Sequence, residues 1–120
     1  MLDAQRPTTE KTRMLSGVQQ VLRVDWEETA AIEDELGRQI VGALPARVHR
    51  AQAIVLSDYG KGLLTRVVLS GAIQVARAAG VPVLVDPKGS DYARYKNATL
   101  VTPNRKEAEE ALAKRIDGLE

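Results

Sequence analysis

The sequence predicts an α/β fold, a parallel sheet flanked by helices behind an N-terminal β-hairpin, and three observations carry that expectation. Short apolar runs at residues 53–56, 81–85 and 98–101 have the length of buried strands, and each closes on polar or proline residues. Between the first two lies a helical pattern at 63–79, long enough to return the chain for a parallel pairing. Ahead of them, at 12–26, β-formers replace helical spacing.

In chain order, 12–15 and 20–26 read as two strands around Ser16-Gly17-Val18, with Val21, Leu22, Val24 and Trp26 as β-formers. Ile32, Leu36, Ile40, Val41 and Leu44 then recur at helical spacing, with Glu33, Asp34 and Glu35 early and Pro45 where the helix should stop. The run at 53–56 reads as a strand buried on both faces and closed by Ser57-Asp58. In the next helix Leu64, Val67, Val68, Ala72, Val75 and Ala76 point inward and Gly80 ends it. The later strands close at Asp86-Pro87 and Thr102-Pro103, and a final helix is expected over 104–115. No pattern assigns 91–97.

Composition narrows the function. The 120 residues carry 17 basic and 16 acidic side chains for a formal charge of +1, interspersed in sign, so no nucleic-acid or membrane partner is expected. There is no cysteine and one histidine, His49, which excludes disulfides, thiolate zinc sites and a cysteine nucleophile. No apolar run approaches the roughly 20 residues of a membrane span, and a cytoplasmic location is the expectation.

Three loops should gather at the carboxyl ends of the strands, where open α/β sheets bind ligands. Ser57-Asp58-Tyr59-Gly60-Lys61-Gly62 offers glycines for close backbone approach, a lysine, and a following helix N-terminus that attracts anions. Asp86-Pro87-Lys88-Gly89 places a carboxylate and an ammonium after the next strand. Each is also the pattern of an ordinary turn. In Thr102-Pro103-Asn104-Arg105-Lys106-Glu107, Asn104 and Glu107 could organise Mg²⁺ through water or form a helix capping box. Together the loops favour a phosphorylated ligand. No Walker A sequence occurs, and Gly60-Lys61-Gly62-Leu63-Leu64-Thr65 misses the dinucleotide fingerprint at its third glycine.

These residues, with Lys11-Thr12-Arg13 and Gln19-Gln20-Val21-Leu22-Arg23-Val24-Asp25, resemble the heptose-7-phosphate kinases, including the kinase half of bifunctional kinase-adenylyltransferases, in the ribokinase-like (PfkB) family. The resemblance implies a central part of one Rossmann-like kinase domain, 1–28 as hairpin or flap and 29–120 as α/β core. It implies ATP and Mg²⁺ as cofactors and phosphorylation of a heptose 7-phosphate at its anomeric hydroxyl, in lipopolysaccharide core synthesis. It assigns Asn104, Arg105, Lys106, Glu107 and Lys88 to the nucleotide, with Asn104 and Glu107 acting on magnesium through water. Lys11, Arg13, Asp58 and Lys61 fall to the sugar phosphate, Arg23 and Asp25 lie in the part facing sugar or a second subunit, and a homodimer is implied. The family's catalytic aspartate stands in a Gly-Ala-Gly-Asp element, which does not occur here, so no catalytic residue is assigned and these 120 residues are expected to be inactive alone. Another ribokinase-like carbohydrate kinase, a non-catalytic nucleotide- or phosphate-binding Rossmann-like module, and a structural module with a dimer-forming hairpin are the alternatives.

Overall fold

The structure is a computed structural model that describes residues 6–116 and Gly118. The chain falls into two compact units, one ending at Ala30 and the other beginning at Ala31.

The first unit is an antiparallel hairpin of β1 (Glu10–Ser16) and β2 (Gln19–Trp26). Ser16 pairs with Gln19, so the loop is the two residues Gly17-Val18. Gly17 supplies the positive φ, +61°, that such tight hairpin turns demand. A bulge between Met14 and Leu15 shifts the register, leaving Met14 opposite Leu22 and Leu15 opposite Gln20. Met14, Leu22, Val24 and Trp26 share one face; Lys11, Arg13, Arg23 and Asp25 share the other.

On the charged face, Lys11 Nζ donates to Asp25 Oδ2 at 2.9 Å and Arg23 Nε lies 3.0 Å from Oδ1. The Lys11 hydrogen bond, joined by the charges of Arg23 and Lys11, holds the Asp25 carboxyl below its ordinary 3.8. A depressed carboxyl stabilises the fold fully above its unfolded pKa and loses that contribution as the pH falls through the lowered value. Cross-strand chemical shifts of the hairpin should therefore hold from neutral pH down to the region of 3.8 and weaken below it. In Lys11→Gln, NMR titration should find the weakening at a higher pH.

The second unit opens with α1 (Asp34–Gly42) and a short α2 (Pro45–Val48). Ile32, expected in the first helix, lies before it, where its N–H donates to the Gly62 carbonyl at 3.0 Å. Pro45 does not end a helix but begins one, because its fixed φ and missing N–H suit a first-turn position. A parallel sheet follows in the order β3 (Ile54–Ser57), β4 (Val83–Asp86), β5 (Leu100–Val101).

The helix α3 (Arg66–Ala78) connects β3 to β4. It starts at Arg66 instead of the expected residue 63, since Thr65 is extended and its Oγ1 accepts the Val68 N–H at 3.3 Å. It ends in a Schellman motif, Gly80 N–H to the Arg77 carbonyl and Val81 N–H to Ala76, with Gly80 at φ +70°. The segment without a sequence pattern holds a 3₁₀ turn, Tyr92–Tyr95, entered by an Asp91 side chain that accepts the Ala93 N–H at 3.2 Å. The last helix is α4 (Arg105–Leu112), shorter than expected because Ala113 turns left-handed at φ +49°.

Leu56, Val83 and Val85 lie under Leu69, Ala72, Ile73 and Ala76 of α3, with Tyr95 closing the core. Among the described residues of this unit, α3 covers this face of the sheet. On the other, Val55, Leu84 and Leu100 stand side by side, Val55 66% and Leu100 51% exposed, which corrects the expectation of strands buried on both faces. The crossovers β3-α3-β4 and β4-3₁₀-β5 step in one direction along the sheet, and connections of one hand then cover one side.

Close approach of α1 and α3 depends on Gly71, where an added Cβ would lie 2.7 Å from both methyls of Val41. Overpacking against a stiff β-branched side chain costs roughly 1–3 kcal/mol and outweighs the gain in helix propensity of about 1 kcal/mol. Gly71→Ala should lower stability in urea denaturation by about 1 kcal/mol net, and Val41→Ala should rescue it in the double variant.

Candidate functional site

The three strand-end loops converge on Lys88. Ser57 ends β3, and the chain then turns through Asp58, whose N–H continues the ladder to the Asp86 carbonyl at 2.8 Å. Ser57 Oγ donates to Asp86 Oδ2 at 3.1 Å, joining the first two motifs. Gly60 and Gly62 adopt φ +64° and +77°, and a Cβ on Gly60 would stand 3.6 Å from Lys88 Cγ, so the glycine loop lies against the lysine stem. Lys88 Nζ in turn lies 3.8 Å from Glu107 Oε1 in the third motif. The lysine is largely exposed and the Glu107 side chain is not, at 61% and 13%. The ammonium is thus presented to solvent from a fixed anionic anchor.

Asn104 and Glu107 form a complete capping box at the start of α4: Asn104 Oδ1 accepts the Glu107 N–H at 3.0 Å, and Glu107 Oε2 accepts the Asn104 N–H at 3.1 Å. One carboxylate oxygen therefore belongs to the cap and the other faces Lys88. Among the described residues no group of three or more His, Cys, Asp or Glu side chains is placed to hold a metal ion. With a single carboxylate, this donor set fits a hydrated Mg²⁺ held through water and not a directly ligated one.

Arg105 and Lys106 are not brought into this cluster. Arg105 Nε lies 3.1 Å from Glu109 Oε1 and its guanidinium also bonds the Ile116 carbonyl; Lys106 Nζ lies 3.9 Å from Glu110 Oε1. Both pair with an acid one turn along α4. The hydrogen bond from the Ile116 N–H, then that from Arg105, holds the Glu109 carboxyl below its ordinary value. Lys61 sits on the exposed glycine loop, four residues before Thr65, the α3 cap, so the helix N-terminus is farther from Gly60-Lys61-Gly62 than the sequence suggested. Lys11 and Arg13 belong to the hairpin unit, Lys11 paired with Asp25 and Arg13 opposite Arg23.

Asp58, expected at the sugar phosphate, is instead buried at 6% exposure and faces inward. Its Oδ1 accepts the Gly60 N–H at 2.8 Å, its Oδ2 accepts the Tyr95 hydroxyl at 2.8 Å, and Arg94 Nη1 lies 3.6 Å away. The same Tyr95 oxygen accepts the Lys88 N–H at 3.1 Å. Burial pushes the Tyr95 phenol above its ordinary 10.0, so the hydroxyl keeps its proton and stays a donor. Tyr95 and Arg94, which sequence reasoning passed over, thus hold the first two loops from beneath. Their signal was an aromatic and a cation in a segment with no periodicity.

No protein-family model matches the chain. The bifunctional protein HldE of Caulobacter vibrioides is 51% identical over 111 residues, covering 92% of this chain and 22% of the relative. That of Wolinella succinogenes is 46% identical over 112 residues, covering 93% and 24%. That of Pelobacter propionicus is 44% identical over 119 residues, covering 99% and 24%. The chain is homologous to part of the HldE bifunctional proteins. It spans about a quarter of their length, and all three strand-end motifs fall inside the stretch matched in the Pelobacter HldE. The crystal structure of Sa239 superposes with a TM-score of 0.63 at 16% identity over 96% of this chain and 37% of its own, a likeness of fold alone.

Proposed function

We propose that this chain is the central part of the kinase portion of an HldE-type protein. In that reading the whole domain transfers the γ-phosphoryl group of ATP to the anomeric hydroxyl of D-glycero-D-manno-heptose 7-phosphate, toward the nucleotide-activated heptose of the lipopolysaccharide core. The observation that carries it is the meeting of three strand-end loops at Lys88, 3.8 Å from Glu107 and against Gly60. Phosphoryl transfer depends on positioning and on charge neutralisation, and a cation held there serves both. Lys88 and the amides opening α4 face the nucleotide phosphates, and Lys61 faces the sugar phosphate. Arg105 and Lys106 act on the nucleotide once drawn from their helix acids. Mg²⁺, when bound with ATP, adds charge neutralisation, and Glu107 receives its hydration water. The general base comes from outside these residues, so the 120-residue chain is inactive by itself. The reaction is cytoplasmic, and the subunits pair as a homodimer.

The test is ATP turnover with heptose 7-phosphate and Mg²⁺, in this chain and in a polypeptide extended at both ends to the length of its HldE relatives. Activity in the extended protein alone supports the reading; nucleotidyl transfer without sugar phosphorylation overturns it. In the extended protein Lys88→Ala should lower kcat/KM by roughly 10- to 100-fold, the loss of one charge-assisted contact of about 1.5–3 kcal/mol. Lys88→Arg should recover part of it.

A further inference from the structure

A second basic feature lies away from the strand-end loops, in a cleft between α3 and the Tyr92–Tyr95 turn. Its volume is about 390 Å³, within the range of small-molecule sites. Arg66 and Arg77 enter it from α3, and Arg94 and Lys96 from the facing segment, with no acidic side chain in the lining. Gathering four cations in one cleft opposes folding through mutual repulsion unless an anion answers them.

The four charges are not equivalent. Arg94 is partly balanced from behind by Asp58 at 3.6 Å and is fixed by a 2.5 Å hydrogen bond to the Leu64 carbonyl. Arg77 reaches across to the Asn97 carbonyl at 3.4 Å, so the two walls are tied and the cleft has a set width. Arg66 and Lys96 are exposed and have no ion-pair partner among the described residues. From Arg66 to Arg77 the helix advances about 17 Å at 1.5 Å per residue, longer than one phosphate group. Ser70 and Gln74 lie between these ends and offer neutral polar groups to the remainder of a ligand.

We propose that this cleft binds a small polyhydroxylated phosphate monoester, its negative charge answered by the cleft's cations, of which Arg66 and Lys96 are the exposed ones and Arg94 the fixed inner wall. Guanidinium groups match phosphate oxygens in paired hydrogen bonds, and a concave cleft of this volume suits a small molecule better than the flat surface a protein partner covers. The cleft shares only Arg94 with the strand-end loops, which that side chain meets from behind through Asp58, and the site stands if the strand-end reading fails.

The experiment is an NMR titration of the ¹⁵N-labelled chain at constant ionic strength, using inorganic phosphate, glycerol 2-phosphate and a glutamate-rich peptide as probes. Saturable shifts at the amides of Arg66, Ser70 and Lys96, larger with glycerol 2-phosphate, are expected. Arg66→Gln/Lys96→Gln, two exposed changes, should weaken them roughly five- to tenfold. Shifts at Gly60, Lys88 and Asn104 report the strand-end loops separately and should be alike in both proteins. Unchanged cleft amides, equal affinity in the double variant, or a response to the peptide alone would overturn the proposal.

Discussion

Asp58→Ala should cost the α/β unit about 3 kcal/mol, because it removes a buried carboxylate on which two hydrogen-bond donors and a facing guanidinium depend. In the native chain Asp58 accepts the Gly60 N–H and the Tyr95 hydroxyl, each at 2.8 Å, and faces Arg94 at 3.6 Å. After truncation Tyr95 retains a weaker bond to the Lys88 carbonyl at 3.3 Å, and Arg94 keeps its bond to Leu64. The Gly60 N–H loses its side-chain acceptor and Arg94 its counter-charge. For a unit of this size 3 kcal/mol corresponds to a fall in melting temperature on the order of 15 °C. Asp58→Asn keeps the shape and the Gly60 acceptor and should cost about half as much. Hydrogen exchange separates local from global effects: Asp58→Ala should expose the Gly60 amide first, while Tyr95→Phe should expose that of Lys88. An Asp58→Ala chain as stable as the parent would show that Tyr95 and Arg94 hold the loops without it.

The same carboxylate shows where sequence reasoning reached and where it stopped. Strand-end placement of Ser57-Asp58, Asp86-Pro87 and Thr102-Pro103 was legible, since short apolar runs joined by connections long enough for a crossover favour parallel pairing. The direction in which each side chain points was not. An aspartate among glycines reads as a ligand contact, yet Asp58 turns inward because Tyr95, 37 residues on, brings a hydroxyl beneath it. That pairing depends on a 3₁₀ turn with no periodic signal. Arg105 and Lys106 failed to join the cluster for a local reason: acids at i+4 outcompete a distant loop. For Asn104 and Glu107 the spacing allowed a cap or a magnesium contact; the cap forms, and it leaves one oxygen of Glu107 toward Lys88. The bare face at Val55 and Leu100 was missed because apolar strand composition says nothing about which face neighbouring elements cover.

The core of α3 carries the other large effect. The sequence marks one inward stripe, but the helix packs on the sheet along one side, on the Tyr92–Tyr95 turn along another and on α1 along a third, so its buried arc is wider and takes in Leu69 and Ile73. Leu69 is 0% exposed and lies in the cluster with Leu56, Val83 and Val85 of the sheet and with Ala72 and Ile73 of its own helix. Leu69→Ala should therefore cost about 3–4 kcal/mol, transfer and cavity terms together, because the small neighbours Ala72 and Ala76 have no side chain with which to fill the space. Domains of this size hold only about 5–15 kcal/mol in total. The variant should melt well below the parent and bind dyes specific for exposed apolar surface at temperatures the parent tolerates. Leu69→Met keeps the volume and should cost less than about 1.5 kcal/mol. Equal losses in the two variants, measured by urea denaturation, would mean that shape and not volume limits this core, and a negligible loss in Leu69→Ala would mean that α3 can close onto the sheet.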